Sequence, residues 1–233
     1  MPTEHNVRVS TSLHPLNVTK IDGYGDATKG YAAGAERALH EAYSGVSSVF
    51  AAREAAQRDL SLTETARVIK IDDMAQRVFK KVAKLFDAES ANLSKGIAQL
   101  EEKLTAPINA RAAHPIAAEV RAHVRAMKGP DRVAFVYRAI TSGDRTTVES
   151  VCGAPSYLSG IEADAQAVLL RTFHEHTAPE EAAKLKVMQG ALAMLGSRGG
   201  LLFTQLEQAV GANPQAVRKM REAKARADEA FAL

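Results

Sequence analysis

Tryptophan is absent from this 233-residue chain, aromatic residues make up only 5% of it, and cysteine occurs once, at position 152. A lone Cys152 excludes an intrachain disulfide framework and any zinc site built from several thiolates, and it fits folding in a reducing cytoplasm. Few aromatics alongside abundant alanine favour closely approaching helices over a thick, aromatic-filled β core. A strong charge of one sign is missing too. Thirty basic residues against 27 acidic ones leave +3, a field too weak to argue for nucleic acid by itself. No apolar run approaches ~18 residues, and the first residues lack the basic start, apolar core and cleavage site of a signal peptide. The expectation is a soluble protein made in the cytoplasm, with no membrane span.

What is present is helical periodicity, and a 46% hydrophobic content is enough to bury a core. Residues 61–105 contain no proline and a single glycine, Gly96. As one helix this stretch would reach ~65 Å, longer than a small domain is wide. Ser61 followed by Glu64 reads as a capping box at its start. Leu62, Ile69, Met74, Val78, Val82, Leu85, Phe86, Leu93, Ile97, Leu100 and Leu104 form a near-heptad stripe, interrupted by Glu89 and Asn92. Such a face is expected to be covered by a helical hairpin or by other subunits, so Ile69, Val78, Val82, Leu93, Ile97, Leu100 and Leu104 are the candidate oligomer interface. Pro107 is expected to end the helix, because it removes a donor and clashes with the preceding turn.

The segments on either side differ in texture. Before residue 30, Val7, Val9, Leu13, Leu16, Val18 and Ile21 alternate with polar residues, which suits an extended or β-like arm lying on its own helices or on a neighbour. A helix over 28–59 carries Gly34 and Gly45, small enough to bring another backbone close. After Pro107 come short helices, among them 115–128, 131–141, 145–152, 159–176, 179–195, 201–210 and 214–230, with Gly196 to Gly200 read as a flexible joint. The whole reads as all-α: an extended arm over 1–30, a long hairpin or coiled-coil region over 31–106, and a bundle of short helices over 107–233.

Chemistry-bearing clusters are few. His174 and His176 flank Glu175, but ligands converge on a helix at spacings of three or four, not two, so these are read as C-terminal histidines set against the helix dipole. Cys152 at the end of a short helix reads as a small buried hydrophobe. Gly196, Gly199 and Gly200 with Arg198 could cradle an anion at the start of a new helix, although no strand or lysine-threonine ending accompanies them. Residues 203–220 have the apolar pattern of a helix-turn-helix around Gly211, placing Arg218, Lys219 and Arg221 as candidate phosphate contacts. Against that, Glu207 stands where a small residue normally lets the two helices touch. No spacing assembles a base, a nucleophile and oxyanion donors, so no enzyme and no cofactor are expected.

Arg138-Ala139-Ile140, Gly143-Asp144, the run from Val148 to Val151 and the junction from Ala154 to Gly160 follow one another in an order that resembles uncharacterised helical proteins encoded by bacteriophages and prophages. That resemblance implies no residue roles. Taken with the arm, the long helix and the lack of a catalytic constellation, it leads to the expectation of a non-enzymatic structural or assembly protein, a homo-oligomer through its apolar stripe that meets other virion or assembly proteins. A nucleic-acid binder using residues 203–220 is the alternative.

Overall fold

A computed structural model describes residues 8–230. The protein is all-α, and no strand occurs among the described residues. Eight α-helices are described: α1 (Ala33–Arg58), α2 (Glu64–Ala112), α3 (Pro115–Ala126), α4 (Gly129–Ser142), α5 (Arg145–Cys152), α6 (Ala163–Thr177), α7 (Pro179–Val210) and α8 (Pro214–Ala230). The chain forms two compact units. The first comprises the described residues of Met1–Leu93 and Gly190–Leu233, the second Ser94–Gln189. Residues 190–233 therefore join the arm and hairpin rather than completing a bundle over 107–233.

The first unit is an antiparallel hairpin of α1 and the first part of α2, joined by α8 and the second part of α7. Lys81 Nζ donates to Glu41 at 2.5 Å, and Val78 sits so close to Gly45 that an added Cβ would lie 2.6 Å from its Cγ1. The two glycines of α1 admit side chains of α2, not a backbone. Over Gly34 lies the carboxylate of Glu89, beside the uncapped first turn of α1, where the helix dipole favours negative charge. Glu89 thus breaks the apolar stripe for a reason. Helix α2 starts later than a Ser61 cap would place it. Thr63 Oγ1 accepts from Ala66 N at 3.2 Å, while Ser61 Oγ donates to Asp59.

The arm is not extended. It winds through short 3-10 turns at Thr11–Leu13, Pro15–Lys20 and Lys29–Tyr31, because its polar side chains bond its own backbone instead of leaving it free for a strand. Ser10 Oγ accepts from Ser12 N, His14 Nδ1 accepts from Leu16 N, and Asn17 Nδ2 donates to the Thr11 and His14 carbonyls. Val9, Leu13 and Val18 are buried, and the turns pack on α1. Residues 1–7 of the arm, Val7 among them, lie outside the described residues.

Helix α7 runs unbroken through Gly196, Gly199 and Gly200, where a joint was expected. Glycine costs a helix only ~1 kcal/mol per residue, and burial of Ala191, Leu195, Leu202 and Leu206 on either side outweighs it. With no helix starting at Leu201, the anion cradle loses its free N–H groups.

The second unit packs α3, α4, α5 and α6 around Val124, Val136, Ile140, Val148, Val151 and Phe173. Pro107 does not end α2, which continues to Ala112. A proline inside a helix costs ~3 kcal/mol. Three contacts hold the last turn in spite of it: Ile108 and Ala112 are buried, Gly153 approaches so closely that a Cβ there would lie 2.5 Å from the Ile108 carbonyl, and Arg121 Nη1 donates to the Ala112 carbonyl at 3.0 Å. Gly129-Pro130 opens α4 rather than merely stopping α3, proline being suited to a first turn.

Candidate functional site

The apolar stripe of α2 is occupied within the chain. Ile69, Val82 and Leu93 are buried, Val78 meets Gly45, and Ile97, Leu100 and Leu104 are half-buried. Of the seven candidate interface residues, Ile69, Val78, Val82 and Leu93 are thus covered within the chain, without a neighbour.

The basic residues are spent in a similar way. Arg221 Nη2 donates to Asp72 and Asp73 at 2.6 Å each, and these bonds raise its pKa further. It is therefore not a free phosphate contact. Arg218 pairs with Glu222 at 2.9 Å along α8, and Lys219 is exposed. The turn before α8 is an ordinary junction, with Gly211 at φ 78° and Asn213 Oδ1 accepting from Ala216 N at 2.8 Å. In the second unit Arg111 and Arg145 both reach Glu149, whose side chain is only 4% exposed. Arg132 donates to the Met127, Gly160 and Arg125 carbonyls, and Arg121 to those of Ala112 and Ser150.

His174 and His176 go to different environments. His174 is buried, and His176 is exposed with Nδ1 2.9 Å from the Thr172 carbonyl, so the two cannot converge on one ion. Cys152 is buried beside Val151 in the core, and burial pushes its thiol up to about 12, far from a nucleophile.

An exposed apolar surface outside the α2 stripe lies on α4 and α6. Val133 and Tyr137, one turn apart on α4, and Val168 on α6 are 36%, 50% and 56% exposed. With Pro130, Ala165 and Thr172 they border a hollow of about 450 Å³. The signal was in the run from Val133 to Tyr137: five consecutive apolar residues wrap a helix, so α4 has more apolar faces than the one that buries Val136 and Ile140. Among the described residues no charged side chain lines the hollow. Counted along the whole helices, Arg132 and Arg138 outnumber Asp131 on α4, and Asp164 and Glu175 outnumber Arg171 on α6.

Set beside known proteins, the chain matches no protein-family model, no curated protein and no solved structure.

Proposed function

We propose that this is a non-enzymatic, oligomerising structural or assembly protein, a bacteriophage virion component or assembly factor, and that a second copy of the chain docks on the α4/α6 face. The observation that carries this reading is the exposed cluster of Val133, Tyr137 and Val168. Large apolar side chains gathered on one face are stabilised when a partner removes them from water, at ~25 cal/mol per Å². The partner is another copy because the net charges of the two helices that border the face are of opposite sign. A two-fold arrangement that lays α4 of one copy on α6 of the other sets a net basic helix against a net acidic one.

Mass in solution tests it. The wild type should exceed the 25.0 kDa of one chain in a concentration-dependent way. Val168→Asp, which places a carboxylate in the seam, should leave monomers with unchanged helix content. A wild type that stays monomeric at ~100 µM, a hundredfold above a ~1 µM dissociation constant, would sink the docking proposal. The virion assignment is tested by gene neighbourhood, which should place the gene among those for capsid, tail or assembly proteins.

Binding of nucleic acid through residues 203–220 is the alternative, and it would rest on Arg218 and Lys219 alone. Its signature is duplex binding whose log affinity falls steeply with log salt.

A further inference from the structure

We propose that the cavity bordered by α2, α7 and α8 in the first unit binds an organic cation of the arylalkylammonium class, with its ring among apolar side chains and its ammonium group at the Glu207 carboxylate. Helical spacing assembles the lining. Asp72, Gln76 and Phe79 stand at i, i+4 and i+7 along α2, as do Phe203, Glu207 and Val210 along α7, so each set shares one helix face. The space they border holds about 300 Å³, at the lower end of the range of sites for small ligands.

Phe79 and Phe203 meet edge to face with ring centroids 6.1 Å apart, Phe203 is 50% exposed, and Ala75, Leu206 and Val217 complete an apolar wall. Such a wall accepts a ligand ring. Aromatic faces also carry the negative part of the ring quadrupole, which favours a cation nearby. Charge decides the sign of the ligand. Arg221 Nη2 already donates to Asp72 and Asp73 at 2.6 Å each, and Arg218 pairs with Glu222 at 2.9 Å, so both lining guanidiniums are taken. The Glu207 carboxylate, half-buried and therefore within a ligand's reach, has no hydrogen-bond or ion-pair partner among the described residues. The end of α7 at Val210 and the start of α8 at Pro214 both border the cavity, so their opposite dipole ends offset one another and Glu207 sets the preference. A ligand cation supplies the missing counter-charge beside apolar surface that reduces screening by water.

The absence of tryptophan makes the test direct, because indole fluorescence can be read without a tryptophan background. Tryptamine, tryptophol and indole-3-propionate share a ring and a spacer and differ in the end group, which is cationic, neutral and anionic in turn. Titrated into the full-length protein, tryptamine should bind saturably, tryptophol about three- to tenfold more weakly, and indole-3-propionate more weakly still. Glu207→Gln should bring tryptamine and tryptophol to the same affinity, and Phe203→Ala, at a half-exposed position, should weaken all three. Val168→Asp should change none of them, so this site and the α4/α6 interface can fail separately. No saturable binding of tryptamine up to millimolar concentration would overturn the proposal. Tryptophol or indole-3-propionate binding as tightly as tryptamine to the wild type would do so as well, without reliance on any variant's folding. A preference for tryptamine that survives Glu207→Gln would overturn the assignment of Glu207 as its counter-charge.

Discussion

The two units solve the same problem, packing helices without aromatic bulk, by different means. In the first, long helices meet through small residues: Val78 enters the gap at Gly45, and Leu39, Val46 and Val49 are wholly buried. In the second, helices as short as the eight residues of α5 leave many terminal carbonyls without partners, and side chains must supply the donors. Arg132 serves three carbonyls, Arg121 two, and Gln166 Nε2 reaches those of Val151, Cys152 and Ala154. Short helices thus turn arginine into structural material. That is why the excess of arginine after Pro107 does not amount to a free basic surface.

The sharpest way to break this contrast is Arg132→Ala. It strips donors from three carbonyls and should cost the second unit ~3 kcal/mol in urea unfolding, while Arg138→Ala, on the surface, should cost under ~0.5 kcal/mol. Equal costs would show that the carbonyl bonds contribute nothing. In the first unit, Gly45→Ala should destabilise by ~1 kcal/mol net, since overpacking against Val78 exceeds the gain in helix propensity. Gly199→Ala should have the opposite sign. Nothing lies within 4 Å of a Cβ there, so the thermal midpoint should rise by an amount reflecting up to ~1 kcal/mol. A midpoint that falls would mean that α7 is not a continuous helix at that position.

The smallest expected effect is one of pH. Burial holds the His174 pKa below its ordinary 6.5, partly offset by the Leu104 carbonyl. The unfolded chain therefore takes up the proton first, so stability is full above about 6.5 and declines as pH falls below it. His174→Phe should flatten this slope in chemical unfolding measured across the range. An unchanged slope would show that His174 does not carry the effect.

Legibility followed sequence distance. The bounds of α5 and α8 could be read directly, because their signals are local: Asp144 caps Thr147 N, and Pro214 opens a helix. Pro107 and the cluster from Gly196 to Gly200 misled for the converse reason. The burial of Ile108, Ala112, Leu195 and Leu202 that overrides them involves residues far along the chain. The same applies to the charges, since the partner of Arg221 is a pair of aspartates in α2 and that of Arg132 is the carbonyl of Gly160. The α4/α6 face was readable as helix but not as surface, because which apolar face of α4 stays open is decided by its packing against α5 and α6.

The division of the chain also sets a timetable for its synthesis. Residues 94–189 lie between the two pieces of the first unit, so a ribosome at ~5–20 residues per second spends on the order of 5–20 s making them after Leu93 has been added. Throughout that interval the nascent α1/α2 hairpin waits without Leu195, Leu202 and Leu206, while the second unit has its whole sequence to hand and can fold first. A chain ended after residue 189 and released from the ribosome should therefore carry a protease-resistant second unit and a hairpin still open to cleavage.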